Sequence, residues 1–106
     1  MSYQLLLTTC GDMESAEHLA EALLARQLAA CVTILPGARS LYMWQGSLQR
    51  ETEYVLLIKS RADRLSALRE CLLTEHPYEL PELIAVPIEG GLEAYLGWLD
   101  QQLDQK

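Results

Sequence analysis

Basic residues are scarce in this 106-residue sequence: eight lysines and arginines stand against fifteen acidic residues, giving a formal charge of -7. The basic residues are scattered, so the electrostatic footprint of a nucleic-acid-binding protein is missing. No apolar stretch approaches the roughly 18 residues of a membrane helix. No basic region precedes the first apolar run and no cleavage-like site follows it, so no signal peptide is expected. Cysteines number three, Cys10, Cys31 and Cys71, with no CxxC pair. An odd count without that motif argues against a disulfide framework and for reduced thiols in a cytoplasmic protein. Phosphate-cradling loops of the GxxxxGK[ST] or GxGxxG kind are absent too, which weighs against phosphate chemistry.

What is present is enough apolar material for one domain, residues 1–106, since half the residues are hydrophobic. Gln4 to Thr9 reads as a strand, and Asp12 caps the helix after it. Ala16, Leu19, Ala20, Leu23, Leu24 and Leu28 fall at helical spacing on one face. A second strand begins near Ala30 and a third spans about Glu51 to Ser60. Leu65, Leu68 and Leu72 mark a second helix, which must end at or before His76 because Pro77 follows. Leu83 to Ile88 is the fourth strand, and Pro87 places it at an edge or bulge. Leu92, Tyr95, Leu96, Leu99 and Leu103 form a terminal helix. The order βαββαβ plus a helix predicts an α+β, ferredoxin-like split βαβ fold.

The middle of the chain is unusual. Ala30 to Ser60 carries no helical pattern, so about thirty residues go to one long hairpin, with a bulge or bend at Pro36-Gly37 and a turn at Gln45-Gly46-Ser47. Arms of ten to fifteen residues reach roughly 33–50 Å, whereas a domain of this size has a radius of gyration of about 13 Å. The hairpin must overhang its sheet. Its far end, Leu41-Tyr42-Met43-Trp44, is apolar or aromatic on both faces, which predicts an obligate oligomer with Tyr42 and Trp44 as interface anchors.

A second feature is the heptapeptide His76-Pro77-Tyr78-Glu79-Leu80-Pro81-Glu82. Two prolines make it a stiff connector, and it carries an imidazole, a phenol and carboxylates.

Four blocks together make the chain resemble the CutA divalent-cation tolerance family. They are Leu28-Ala29-Ala30-Cys31-Val32-Thr33 with Leu35-Pro36-Gly37-Ala38; Ser40-Leu41-Tyr42-Met43-Trp44-Gln45-Gly46; Glu51 and Glu53 leading to Ile58-Lys59-Ser60; and His76-Pro77-Tyr78-Glu79 with Pro81-Glu82-Leu83-Ile84. The resemblance implies a homotrimer similar in architecture to the PII signalling proteins, paired through the long hairpins. It also implies binding of copper or related divalent ions.

His76 is then the first metal candidate, since imidazole and thiolate suit copper, which heads the divalent affinity series. The sequence departs from the family here. Glu75 stands where some members have a second histidine, and Thr8 where they have a cysteine, with Cys10 on the same strand face as a substitute. The plainer alternative for His76 is a loop histidine bonded to a carbonyl or carboxylate. Cys31, Glu53, Lys59, Tyr78 and Glu82 match the family's cleft positions. For Lys59 the alternatives are a carboxylate pair across strands or subunits and a ligand anchor. A catalytic Cys31–His76 pair lacks both an orienting third group and an oxyanion hole, so no enzyme is expected. The expected function is trimeric metal tolerance at or near subunit interfaces. The alternative is a non-catalytic signalling or anchoring trimer offering its cleft to a small ligand or an unidentified protein partner.

Overall fold

A computed structural model describes residues 2–105, so the outermost residues of the 1–106 span, Met1 and Lys106, lie outside the described residues. Strands β1 (Tyr3–Cys10), β2 (Cys31–Trp44), β3 (Ser47–Arg61) and β4 (Ile84–Pro87) and helices α1 (Met13–Ala25), α2 (Leu65–Glu75) and α3 (Glu93–Leu103) follow in the order βαββαβα. The strands form one antiparallel sheet in the order β2-β3-β1-β4. This is the α+β, split βαβ arrangement expected. Pro87 sits in the edge strand, where its missing N–H costs no ladder bond.

Local chemistry explains the boundaries. The Asp12 carboxylate accepts a hydrogen bond from the Ser15 N–H at 2.7 Å and starts α1. The helix ends at Ala25, three residues before Leu28. Gln27 adopts a left-handed φ of 55°, the Leu28 N–H reaches the Leu23 carbonyl, and the Gln27 N–H reaches that of Leu24. That pair of bonds is a Schellman stop. Leu28 is therefore buried from outside the helix, and Leu24 turns to solvent. Leu92 likewise precedes α3 rather than belonging to it, and is exposed.

One face of the sheet is closed. Leu6, Cys10, Leu56 and Ile58 meet Ala16, Leu19 and Leu23 of α1 and Leu68, Cys71 and Leu72 of α2 in a single core. The other face is largely open. Alternation puts Leu5, Leu7, Thr33, Leu35, Val55, Leu57, Ile84 and Val86 there, in rows such as Thr33–Leu57–Leu7–Ile84. Among the described residues only one end is covered, where Leu99 and Leu103 of α3 pack with Ala30, Tyr3 and Leu96.

A charge cluster fastens α3. The buried Arg61 guanidinium is gripped by Asp63 at 3.0 Å, Asp100 at 3.0 Å and Asp104 at 2.8 Å, while the Tyr3 hydroxyl donates to Asp100 at 2.7 Å. Arg61 holds the Asp63 and Asp104 carboxyls below the usual carboxylate range. Asp100 is lowered first by the Tyr3 hydroxyl and then by Arg61.

The hairpin arms are 14 and 15 residues long, and the molecule's longest extent is 45 Å. Pro36 and Gly37 oppose the single residue Tyr54, which makes the expected bulge; Gly37 takes φ 77°. Beyond the bulge the arms pair only with each other. A two-residue Gln45-Gly46 turn, with φ 50° and 81°, matches the strand twist. At the tip Trp44 is 51% and Met43 64% exposed, beside exposed Leu41, Tyr42 and Leu48.

Candidate functional site

Helix α2 delivers His76 to the sheet. Its N–H still bonds the Leu72 carbonyl at 2.8 Å, after which Pro77 forces extended backbone and the ring turns under β1. Only 6% exposed, the imidazole is tied at both nitrogens. Nε2–H donates to the Thr9 carbonyl at 2.7 Å, and Nδ1 accepts the Tyr78 N–H at 3.1 Å. Those partners select the neutral Nε2–H tautomer. Cys10 Sγ lies 3.7 Å from Nε2.

The Tyr78 ring tilts against His76 with centroids 4.8 Å apart, and its hydroxyl donates to Glu53 Oε2 at 2.9 Å. Burial and then the Glu53 carboxylate push the phenol well above its usual range. Gly11 lies close beneath it: a Cβ there would stand 3.1 Å from the Tyr78 oxygen, so the ring would have to shift by a few tenths of an ångström. Thr9, Cys10, Gly11, Glu53, His76 and Tyr78 thus form one polar knot at the base of the overhang.

That knot does not fit a metal as the sequence suggested. Both His76 nitrogens are engaged, and burial, then Asp12 and Glu53, push the Cys10 thiol up to about 11, so an ion bound there would have to displace both a hydrogen bond and a thiol proton. A metal ligand must be deprotonated. Glu75, expected beside His76, points instead to α1: its carboxylate accepts from His18 Nε2 at 2.7 Å and lies 3.9 Å from Arg26. Among the described residues no three histidine, cysteine or acidic side chains are grouped to hold an ion. His76 has the carbonyl partner of the plainer reading.

The five cleft candidates split. Cys31 and Lys59 are ladder partners, with the lysine Nζ 3.8 Å from Cys31 Sγ and donating to Thr33 Oγ1 at 2.7 Å. Glu53 and Tyr78 belong to the knot, six residues along β3 and so about 20 Å away at the strand rise. Glu82 is exposed and joins neither group. The Cys31–His76 pair does not form, since His76 meets Cys10 instead. Tyr42 and Trp44 stand on the bare hairpin tip.

Several contacts have no signature in the sequence. Asp100 and Asp104, four apart on a helix, were a legible pair of carboxylates on one face. Nothing in the spacing joined them to Arg61, or His18 to Glu75. Tyr95 and Trp98 stack at 5.7 Å on α3, which gives Trp98 a neighbour though no chemistry.

A split βαβ domain with a long overhanging hairpin and one largely open sheet face defines the class, α+β and ferredoxin-like. Residues 4–102 match the family model described as "CutA1 divalent ion tolerance protein". The divalent-cation tolerance protein CutA of Pectobacterium atrosepticum is 48% identical over 98 residues, covering 92% of this chain and 89% of that protein. The crystal structure of CutA from Xylella fastidiosa superposes with a TM-score of 0.95 at 44% identity, covering 98% of this chain and all of that one. A structure named as the periplasmic divalent cation tolerance protein CutA of Archaeoglobus fulgidus superposes at 0.93 with 33% identity, covering 96% and 99%. The chain belongs to the CutA1 divalent ion tolerance family.

Proposed function

We propose that this chain assembles as a homotrimer and serves divalent-cation tolerance by holding divalent ions, copper foremost, where ligands of more than one subunit meet. The open sheet face carries the proposal. Eight apolar or small side chains stand there in register, with Leu35 and Ile84 about half exposed and only one end under α3. A contiguous patch of that kind marks an interaction surface. The bare hairpin supports the same reading, because an unpaired apolar edge invites strand pairing. Drawing ligands from several subunits agrees with the knot, whose histidine and thiol are committed within the protomer. The role is non-catalytic, and the three reduced thiols suit the cytoplasm.

One observation favours a second reading. The Lys59 ammonium has a hydroxyl and a thiol beside it and makes no ion pair among the described residues. A trimer offering that amine to a small anionic ligand or a protein partner would be a signalling or anchoring device.

Light scattering and equilibrium dialysis against a competing chelator test both. Reduced protein at micromolar concentration is expected to scatter as a trimer and to retain Cu(II). Leu57→Lys, which puts a charge on the open face, is expected to be monomeric and to lose the copper. A stable wild-type monomer would sink the assembly. An intact trimer with weak, unselective copper binding would favour the signalling reading.

A further inference from the structure

Cys31 and Lys59 are set as a reactive pair, independently of how the chain handles metal. They are direct partners across the β2–β3 ladder, so their side chains rise from the same open face. Nζ stands 3.8 Å from Sγ. A lysine on a four-carbon stem is ordinarily mobile, but here Thr33, two residues along β2 and on the same face, accepts from the amine at 2.7 Å and holds it above the sulfur. Of the three free cysteines, Cys10 and Cys71 are buried and Cys31 is half-exposed. Tyr95 of α3 faces the same thiol, and its phenol is raised by burial first and by Cys31 next. The geometry therefore places an amine beside any oxidised form of Cys31, while the chain's other two cysteines are buried in the core on the closed face.

We propose that Cys31 and Lys59 form a covalent redox site, joined on oxidation through a single oxygen atom. The Lys59 ammonium first gives one proton to water, and the reaction then consumes one thiol, one neutral amine and one dioxygen. The S–H bond, one N–H bond and the oxygen–oxygen bond break, and an S–O and an O–N bond form. The second oxygen leaves as water with both hydrogens. Sulfur and nitrogen together lose four electrons and dioxygen gains four. One inserted atom fills the present gap after a small closing movement of the lysine stem. The bridge neutralises Lys59, removes the thiol and staples β2 to β3 below the hairpin. Dioxygen is small enough to reach the pair beneath a subunit contact, so the reaction does not require a bare face.

Mass spectrometry of the full chain tests this. Reduced protein is held in air-saturated buffer, digested without reductant, and compared with a sample treated with excess thiol afterwards. The expected product is a linked pair of peptides containing Cys31 and Lys59, heavier than their sum by one oxygen and lighter by two hydrogens. Trypsin should fail to cut after Lys59, and the thiol should restore both peptides. Cys31→Ser and Lys59→Arg should each abolish the link, and Thr33→Val should lower its yield several-fold. Cys31 oxygenated alone, Cys31 in a disulfide, or an unmodified pair after prolonged exposure would each overturn the proposal. The wild-type product decides even if a variant misfolds.

Discussion

Replacing His76 by alanine separates a structural histidine from a metal ligand. The ring is buried, donates to the Thr9 carbonyl at 2.7 Å, accepts from the Tyr78 N–H at 3.1 Å and packs on the Tyr78 ring. Each hydrogen bond contributes about 0.5–1.5 kcal/mol net, and the groups left unpaired add their desolvation cost. Loss of the ring also leaves a cavity beneath Tyr78. Together these give an expected destabilisation of about 2–4 kcal/mol, with Glu53 and Tyr78 loosened. Urea unfolding of reduced wild type and variant, at one subunit concentration, reads it directly. Dialysis of the folded variant should show copper affinity within about threefold of wild type, a change of under ~1 kcal/mol. Stability within about 0.5 kcal/mol of wild type with a tenfold or greater loss of copper affinity would refute the reasoning and make His76 a ligand.

Two other expectations follow from buried groups. Thr8 is fully buried on the closed sheet face, and its hydroxyl has no partner among the described residues. Thr8→Val keeps the β-branched shape and should raise stability by about 1–2 kcal/mol; a loss would mean the hydroxyl is satisfied. The Arg61 cluster predicts an acid-sensitive α3. The carboxyls of Asp63, Asp100 and Asp104 are lowered, so their contribution is complete above the ordinary carboxylate value near ~4 and is lost as pH falls through their folded values. Arg61→Met should therefore lose more unfolding free energy against wild type at pH 7 than near pH ~2; a pH-independent difference would contradict this.

Much of the fold was legible because periodicity and turn chemistry act locally. Pro77 ends α2 at Glu75, Pro36-Gly37 makes the bulge, and Gln45-Gly46 makes the turn, each by restricting its own backbone. Helix ends were harder. Leu28 continued the helical spacing of α1, yet Gln27 in the left-handed region stops the helix and sends Leu28 into the core by another route. No glycine announced that stop.

The candidate site was legible as a set of residues and not as contacts. Glu75 is adjacent to His76 in the chain, but the last turn of α2 and the extended backbone after it point the two side chains to different places. Cys10 was paired with His76 as a ligand, and tertiary packing did bring them together, in a buried place that keeps the thiol protonated. Arg61 and its three carboxylates join the end of β3, the segment after it and α3, so no local pattern held them.

The order of apolar runs, prolines and turn residues by itself determined the element order, the split βαβ class and the overhanging hairpin, because these depend on backbone restriction and on burying one face per element. Only the tertiary structure decided which polar groups meet. Which groups His76 and Glu75 bond to, whether Lys59 faces a carboxylate or a thiol, and what holds α3 all depend on strand register and on the desolvation of particular atoms, and neither is a property of neighbours in the chain.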